Sequence, residues 1–528
     1  VWGTAEPGQT VTVTFEGQTK YATTGSDRTW RVQLDSMTAN TNSQQLTITI
    51  TGVTNLTYTN VVVGDVWLAS GQSNMYFPVN GNNPNQSVIN AVAETAVANY
   101  PLIRHMRVRQ TGALTPAWDT TLDWSWTPCS PASVPNLSAV AYFFARTLFQ
   151  SNSVQGTIVP IGILESAYGG TPLEAWTSAA AMDAVPELKT FADQNLANYY
   201  NGTQTSITFV RGAMYNAMIS PLIPFAIRGV IWYQGESGGG ASTMQYRVLF
   251  PTMIQDWRLR WQQADFPFYF VQLPSLTIAT GWPYTREAQT LTLQTATNTG
   301  MAVIFDVDDP SAIHPGNKQD VGSRLANLAL NRNYGFTNIM PSGPLFRTYA
   351  IETNQIRIYF DYAENGLMTG QKNNLDPVQE LVGVAPQWFE IAGANQSYVP
   401  ANAQIDTNGT VVVSSPSVPN PTLVRYAWSA VPMGTNLYNR AGLPASPFRI
   451  PVWTNAHPPV SLQLNGGGIQ TTCTVPNNVT WWVEYNDSLS ASAWMPLILP
   501  QTGTGAVQTV TDPINGRAQR FYRWGFMP

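Results

Sequence analysis

Five short apolar segments, separated by longer amphipathic segments, constrain the fold of this 528-residue chain more than any other feature. The apolar segments read VWLAS, TIVPIGILES, GVIWYQ, FPFYFVQL and MAVIF, and they lie between residues 66 and 305. Parallel neighbouring strands need a long crossover connection, which is usually a helix. The alternation therefore predicts an α/β fold, with a doubly wound parallel sheet of about five strands flanked by helices.

Both ends of the chain carry a different pattern, in which apolar and polar residues alternate between turn residues. Such alternation is typical of antiparallel strands. We therefore predict accessory all-β units at both ends of the α/β domain. The predicted parts are an N-terminal β unit (1–62), the α/β domain (63–338), a second β unit (339–455) and a C-terminal module that resembles a small β-sandwich (456–528).

The composition excludes several classes of partner. Charged residues make up 11% of the chain, compared with about a quarter of an average soluble protein. The net charge of −5 gives no basic surface for a nucleic acid, and no apolar run approaches the roughly 20 residues of a membrane span. We therefore expect neither nucleic acid nor a membrane as a partner, and the neutral, hydroxyl-rich composition favours a secreted or periplasmic protein. Cys129 and Cys473 are too few for a disulfide framework, and they either pair or stay free.

Ser73 stands where the segment VWLAS runs into the turn GQSN, which places it at the carboxyl end of a predicted strand. Open α/β sheets carry their ligands and chemistry at that edge. The turn differs from the G-x-S-x-G elbow of α/β-hydrolases because Met75 replaces the second glycine. The chain has three histidines: His105 lies in a strand-like run, His457 in a proline-rich linker, and His314 in an aspartate-rich loop after MAVIF. We therefore predict Ser73 as a nucleophile and His314 as its general base.

Four blocks of the sequence, GDVWLASGQSNM, ESAYGGTPLEAW, GVIWYQGES and IHPGNKQDVGSRLA, resemble the bacterial sialate O-acetylesterases, a branch of the SGNH hydrolase superfamily. The blocks stand in the order of that family, and the similarity extends over roughly residues 1–450. The resemblance implies a serine esterase that removes O-acetyl groups from carbohydrate through an acetyl-enzyme, without a metal or organic cofactor.

The identity of the acetylated carbohydrate stays open at this point. Sialic acid is implied by the family, whereas the neutral, aromatic-rich sequence suits an acetylxylan esterase or a broad-specificity carboxylesterase equally well. A carbohydrate-binding protein that has lost its activity is the alternative outside the enzymes. The retained Ser73, Gln234 and His314 argue against that alternative.

An ester hydrolase of this kind also needs hydrogen-bond donors for the oxyanion. The resemblance assigns this role to a glycine of the block ESAYGGTP, where we favour Gly170 over Gly169. Gln234 stands where other members of the superfamily carry an asparagine, and its side-chain amide is a second expected donor. The backbone N–H of Ser73 is the third.

The acid that would orient His314 is the point at which this sequence departs from its relatives. They carry an aspartate three or two residues before the histidine, and here those positions hold Ser311 and Ala312. We take Asp309 as the first choice, because its loop can fold back toward the imidazole ring. The alternatives are a backbone carbonyl, which would make a Ser-His dyad, and three other carboxylates: Asp306, Asp308 and Glu236.

Four further polar residues receive weaker assignments. Asn74 is expected to brace the nucleophile turn. Arg286 opens a predicted helix after the segment FVQLPS, and it is the expected contact for a substrate, in particular for the carboxylate of a sialic acid. Lys318 and Arg324 read as charges on the surface of a helix. If His314 has the ordinary pKa of about 6.5, activity rises with pH through one ionisation near neutrality.

Overall fold

The computed structural model of the chain describes fourteen stretches, namely residues 1–53, 55–81, 86–156, 158–237, 242–279, 281–394, 396–450, 461–465, 468–475, 480–486, 495–502, 504, 506–513 and 520–527. They fall into two units, residues 1–448 and residues 449–528, and the first unit contains every predicted site residue. His457 and the predicted boundary at residue 455 lie outside the described residues.

The N-terminal part is all-β. Strands β2, β3, β5 and β6 form an antiparallel sheet in the order β3-β2-β5-β6, and β1 pairs with β4. Alternate residues of β2, Val11 and Val13, point into a small core with Trp30 and Ile48. The six strands are β1 (Trp2–Thr4), β2 (Thr10–Phe15), β3 (Gln18–Thr23), β4 (Thr29–Arg31), β5 (Asn40–Ile50) and β6 (Leu56–Val63).

Seven strands form the central sheet, in the order β13-β12-β11-β7-β10-β8-β9. All neighbours are parallel except β8 and β9, which are antiparallel. The predicted α/β fold with a parallel sheet is confirmed, and the sheet has two strands, β8 and β9, beyond the five counted from the sequence. The seven strands are β7 (Asp65–Gly71), β8 (Tyr100–Val108), β9 (Leu122–Cys129), β10 (Ile161–Ala167), β11 (Gly229–Tyr233), β12 (Phe268–Val271) and β13 (Thr299–Ala302).

The helices cover both faces of this sheet. On β7, Trp67 and Ala69 pack in one core with residues of α3 and α9, whereas Leu68 between them belongs to a second core with residues of α7 and α8. This is the doubly wound arrangement. The helices are α1 (Ser73–Tyr76), α2 (Ala91–Ala96), α3 (Ala139–Val154), α4 (Leu173–Trp176), α5 (Ala179–Asp183), α6 (Pro186–Tyr200), α7 (Ser242–Trp261), α8 (Trp282–Thr295) and α9 (Lys318–Asn333).

Four short helical turns complete the α/β domain. Three are 3₁₀ turns and one is a π turn, and they lie at Val134–Asn136, Ile207–Phe209, Tyr215–Ile219 (the π turn) and Ser220–Leu222. In the described residues no helix has both the length and the apolar character needed to cross a bilayer.

The remainder of the first unit is a second all-β part. Its sheets have the orders β14-β15-β21-β20, β17-β16-β23 and β19-β18-β22-β24. The strands are β14 (Leu345–Glu352), β15 (Gln355–Asp361), β16 (Leu367–Gln371), β17 (Gln379–Glu380), β18 (Phe389–Ala392), β19 (Val399–Pro400), β20 (Asn402–Ile405), β21 (Val411–Ser414), β22 (Leu423–Tyr426), β23 (Leu437–Asn439) and β24 (Phe448–Ile450).

The second unit consists of two three-stranded antiparallel sheets, β25-β26-β29 and β28-β27-β30. Trp481 and Trp524 stack in its core with ring centroids 5.1 Å apart. Cys473 lies in the same core, and both it and Cys129 are buried and form no disulfide. The strands are β25 (Ser461–Asn465), β26 (Gly468–Thr474), β27 (Thr480–Asn486), β28 (Met495–Thr502), β29 (Val507–Pro513) and β30 (Phe521–Met527).

The contact between α3 and α9 depends on a glycine. A Cβ atom added to Gly322 would lie 2.7 Å from the Cβ atom of Phe143, 2.7 Å from the backbone nitrogen of Phe144 and 2.8 Å from the carbonyl oxygen of Val140. Two of these neighbours are backbone atoms, which cannot move aside as a flexible side chain can. The close approach of the two helices therefore requires a residue without a side chain at this position.

We predict that Gly322→Ala lowers the thermal stability of the protein although alanine is the better helix former. The helix propensity gained is about 1 kcal/mol, and overpacking of a close contact costs about 1–3 kcal/mol. The matched control is Ser323→Ala on the same helix, which gains propensity and meets no such contact. Calorimetry of both variants decides the matter, and a Gly322→Ala protein more stable than the parent contradicts the packing argument.

Candidate active site

Ser73 and His314 lie together at the carboxyl-terminal edge of the central sheet. Ser73 is the first residue of α1 and follows the end of β7, whereas His314 lies in the loop between β13 and α9. The Oγ atom of Ser73 and the Nε2 atom of His314 are 2.9 Å apart, which is hydrogen-bonding distance. The structure therefore brings the predicted nucleophile and the predicted base together, although 241 residues separate them in the chain.

The turn that presents Ser73 depends on Gly71. Its φ is +133°, in the region that favours glycine, and an added Cβ atom would lie 2.1 Å from the carbonyl oxygen of Tyr233. The N–H of Gln72 donates to that same carbonyl at 2.9 Å. A glycine at the end of β7 thus lets the nucleophile turn lie directly against the end of β11.

The imidazole of His314 is half-buried beside Phe77, with ring centroids 5.5 Å apart. Burial, helped by the positive charge of Lys318, lowers the pKa of His314 to about 4. The ring is therefore neutral and able to accept a proton from about pH 5 upwards. The ionisation near neutrality expected from the sequence is corrected to a more acidic one.

Asp309 does not orient His314 in the structure. Its Oδ1 atom accepts hydrogen bonds from the N–H of Ser311 at 3.0 Å and from the Ser311 hydroxyl at 2.6 Å, and the carboxylate is exposed. Such a local turn satisfies an aspartate within its own loop. The Nδ1 atom of His314 is buried and has no hydrogen-bond partner among the described residues.

The other three candidate carboxylates are also engaged elsewhere. Within the part of the chain that the structure describes, none of them hydrogen-bonds to His314, and no backbone carbonyl does so either. Their partners are Arg324, with two bonds of 2.6 and 2.7 Å to Asp306, the N–H of Ser275, at 2.8 Å from Asp308, and the side-chain amide of Asn74, at 2.6 Å from Glu236. The geometry is that of a Ser-His pair without an acid.

Asn74 connects the segments that carry the pair. Its Nδ2 atom donates to the Oε1 atom of Glu236 at 2.6 Å and to the carbonyl oxygen of Ile313 at 2.9 Å. Its Oδ1 atom accepts a hydrogen bond from the ammonium group of Lys318. All of its side-chain bonds thus lead to different segments: the loop after β11, the residue before His314 and the first residue of α9. The side chain is fully buried, so each of these bonds replaces one that water would have made.

Lys318 is fully buried. The sequence prediction of a surface charge is therefore wrong for this residue. Its Nζ atom lies 5.3 Å from the ring centroid of Phe77 and 5.4 Å from that of Tyr233. Burial lowers the pKa of Lys318 to about 7, opposed by the negative charge of Glu236, whose own pKa is raised by burial. The prediction for Arg324 is also wrong, because this residue is buried and pairs with Asp306.

Gly169, rather than Gly170, lies against Ser73. A Cβ atom added to Gly169 would lie 3.3 Å from the Cβ atom of Ser73, whereas none of the described atoms lies within 4 Å of that position at Gly170. Gly170 has a φ of +74° and is exposed at the tip of the turn. The first N–H groups of a helix have no acceptor within it, so the N–H of Ser73 is also available beside Gly169.

Gln234 does not have a free side-chain amide, contrary to the sequence prediction. It is fully buried. Its Nε2 atom donates to the carbonyl oxygens of Thr171, at 3.2 Å, and Ser237, at 3.4 Å, and its Oε1 atom accepts from the hydroxyl of Tyr246 at 3.1 Å. Both amide hydrogens are therefore used to hold two loops together, and none is left for an oxyanion.

Arg286 is likewise a structural residue and does not face a substrate. Its side chain is 1% exposed. The guanidinium donates to four backbone carbonyl oxygens, and its carbon atom lies 4.6 Å from the ring centroid of Phe305. The carbonyl oxygens belong to Leu273, Pro274, Ser429 and Ala430. Arg286 therefore joins the α/β domain to the second all-β part.

Comparison with known proteins agrees with this geometry. The family model described as carbohydrate esterase, sialic acid-specific acetylesterase matches residues 63–331. The chain belongs to this family. It is therefore a carboxylic ester hydrolase that acts on acetylated carbohydrate, and the family predicted from the sequence is confirmed.

Individual relatives extend the similarity beyond the α/β domain. Sialate O-acetylesterase from Homo sapiens is 30% identical over 488 residues, which cover 85% of this chain and 88% of that protein. The mouse protein of the same name is 31% identical over 517 residues, with 85% and 90% covered. Among solved structures, a carbohydrate acetylesterase from Xanthomonas citri superimposes with a TM-score of 0.73 at 34% identity, covering 86% of this chain and 95% of that one.

We predict that Asp309→Asn retains most of its turnover of p-nitrophenyl acetate, whereas Glu236→Gln loses at least about tenfold. Among the described residues, the carboxylate of Asp309 hydrogen-bonds only within its own turn. The carboxylate of Glu236 accepts a bond from Asn74, and charge-assisted bonds are roughly twice as strong as neutral ones. The two variants are matched carboxylate-to-amide changes measured by steady-state kinetics. An Asp309→Asn enzyme that keeps less than a tenth of the parental kcat would restore Asp309 as the orienting acid.

A second prediction concerns the pH dependence. For free enzyme, kcat/KM on p-nitrophenyl acetate should fall on the acidic side with the pKa of His314, at about pH 4. Since the charge of Lys318 lowers that pKa, Lys318→Met should raise the pKa and move the acidic limb toward neutrality. Lys189→Met, on an exposed lysine of α6, serves as the control. A profile of Lys318→Met that coincides with the parental one disproves the electrostatic role of Lys318.

Proposed function

We propose that this carbohydrate O-acetylesterase works by a serine mechanism of the SGNH type, with Ser73 as the nucleophile. The observation that carries the proposal is the 2.9 Å distance between the Ser73 hydroxyl and the Nε2 atom of His314. Ser73 attacks the acetyl carbonyl carbon while His314 takes the hydroxyl proton. The resulting imidazolium then gives that proton to the departing sugar oxygen, and an acetyl-enzyme remains.

Hydrolysis of the acetyl-enzyme follows the same route in reverse. His314 removes a proton from water, the hydroxide attacks the acetyl carbonyl, and the proton returns to the oxygen of Ser73 as acetate leaves. The backbone N–H groups of Ser73 and Gly169 are the donors that we assign to both oxyanions. Removing one such donor typically costs about a hundred- to a thousandfold in turnover.

In this proposal, the hydrogen bonds of Asn74 to Glu236, Ile313 and Lys318 take the place of an orienting acid. Asn74 binds the carbonyl of Ile313 directly before His314, so the backbone of the histidine is fixed relative to the nucleophile turn. The dyad works with a base whose position is held through the main chain. The cost is that no carboxylate stabilises the imidazolium when it forms.

Two substrate classes have support. The names of the human and mouse relatives favour O-acetylated sialic acid. The cations of the site favour an uncharged sugar, because Arg286 is engaged by four carbonyl oxygens and Lys318 is buried beneath Asn74. A sialic acid presents a carboxylate, which would need an available cation. We therefore propose a neutral acetylated glycan, such as acetylated xylan, as the preferred substrate, and a secreted or periplasmic location remains a prediction from composition.

One experiment tests both the serine mechanism and the preference for a neutral sugar. It measures acetate release from acetylated xylan and from O-acetylated sialic acid by the parent and by Ser73→Ala. We expect the parent to act faster on xylan, and Ser73→Ala to lose at least about a thousandfold on both substrates, because the hydroxyl is the attacking group. Ser311→Ala, at the position where relatives carry the acid, is the control for serine replacement.

Each part can fail by itself. A folded Ser73→Ala enzyme that keeps more than a tenth of the parental rate eliminates the serine mechanism. A parent that deacetylates sialic acid faster than xylan eliminates the preference for a neutral sugar and leaves the mechanism standing.

A further inference from the structure

A cavity of about 530 Å³ lies between the α/β domain and the second all-β part of the first unit. Ligand pockets of proteins typically measure about 300–1,000 Å³. One wall consists of Ser275 and the loop residues Phe305, Asp306 and Asp308, and the other comes from the segments 370–372, 381–387 and 432–438. Neither Ser73 nor His314 lines it, so the cavity is separate from the reacting pair.

The loop between β13 and α9 connects the cavity to the reacting pair. Asp308 in the cavity wall precedes His314 by six residues on this loop. The strands β11, β12 and β13 are parallel neighbours, so their carboxyl ends and the end of β7 share one edge of the sheet. Burial raises the pKa of Tyr233, and the negative charges of Glu236 and Asp308 raise it further. The cavity wall at Asp308 and the reacting pair therefore belong to the same edge of the sheet.

The charges that line the cavity are negative or already paired. Asp306 is bound by Arg324 through two hydrogen bonds, and Lys372 is 2.8 Å from a carboxylate oxygen of Asp320. Asp308 accepts a hydrogen bond from the N–H of Ser275 at 2.8 Å. A carboxylate has about four acceptor sites, so others remain for hydroxyl donors. An anionic ligand finds no free cation among the described lining residues.

Apolar side chains line the cavity beside these acceptors. Met433 is 62% exposed and Val384 is 44% exposed, and both lie in its wall together with Leu381 and Tyr438. Sugar rings have hydroxyl groups at their rims and C–H groups on their faces. Hydroxyl acceptors beside apolar side chains, without a free cation, match an uncharged sugar ring and do not match a sialic acid.

We propose that this cavity binds a second, non-reacting sugar residue of a neutral acetylated oligosaccharide, with Asp308 accepting its hydroxyl groups. The inference rests on the proposed function, because it places a neighbouring unit of the substrate whose acetyl group meets Ser73. It names the substrate class as oligomeric and uncharged. It also assigns a specificity role to the second all-β part, which supplies one whole wall.

The test fills the cavity from its exposed rim. Val384→Trp places a large side chain in the wall, and the matched control is Val382→Trp, two residues away, at a valine that is 88% exposed and does not line the cavity. Steady-state kinetics are measured on acetylated xylo-oligosaccharide, on acetylated xylose and on p-nitrophenyl acetate. We expect kcat/KM for the oligosaccharide, divided by kcat/KM for acetylated xylose, to fall at least tenfold in Val384→Trp, mainly through KM. In Val382→Trp the ratio should stay within twofold.

A second variant, Met433→Trp, fills the cavity from the other side and should lower the same ratio. If both ratios stay within twofold of the parental value, the subsite does not exist. The parental kcat/KM for O-acetylated sialyllactose is also compared with that for free O-acetylated sialic acid. If this ratio is as large as the ratio for the xylo-oligosaccharide over acetylated xylose, the restriction to neutral sugars is wrong. Failure of the proposed function appears differently, as a parent inactive on p-nitrophenyl acetate and on all the acetylated sugars.

Discussion

The side-chain amide of Asn74 is the interaction on which the geometry of the site depends. One amide group offers two hydrogens and an acceptor oxygen, and here they bind Glu236, the carbonyl of Ile313 and Lys318. These partners come from two strand-to-helix connections, the one after β11 and the one between β13 and α9. Because the group is buried, breaking any of these bonds leaves a polar atom without water to replace its partner, at about 1–3 kcal/mol. The 2.9 Å contact between Ser73 and His314 is therefore maintained by a residue that touches neither functional atom of the pair.

Much of the fold could be predicted from the sequence because the central strands are apolar over their whole length. Strands covered by helices on both faces read as continuous apolar runs, as β7, β11 and β12 do. The alternating sequence of β8 indicates a strand but not its place in the parallel sheet, and β9 has no clear apolar signal. The strand β9 is at the edge of the sheet, β8 is its neighbour, and both contain polar residues. The helix α6 was missed for a related reason: only Leu188 and Ala192 of its fifteen residues are buried, so its apolar stripe is narrow.

The contact between Ser73 and His314 was predictable from the sequence, and the surroundings of this pair were not. His314 was identified because the chain has only three histidines, and Ser73 because it follows a predicted strand. Both arguments depend on the sequence alone. The direction in which a side chain points depends on what packs around it. Arg286, Gln234 and Lys318 have the residue types that bind substrates or face water, but each one is buried and engaged by backbone or side-chain oxygens. The block IHPGNK shows a lysine four residues after the histidine. Its position was visible in the sequence, but its burial was not.

The same burial shapes the chemistry that the dyad can perform. A base whose pKa lies near 4 stays neutral in acid, but a weaker base removes the serine proton less readily, since the efficiency of proton transfer follows the basicity of the acceptor. Because no described residue hydrogen-bonds to Nδ1 of His314, more of the transition-state stabilisation has to come from the oxyanion donors and from substrate binding. Binding energy from parts of a substrate that do not react can serve this purpose by holding the reacting group in place. The subsite that we propose for a neighbouring sugar therefore suits an esterase whose histidine is weakly basic.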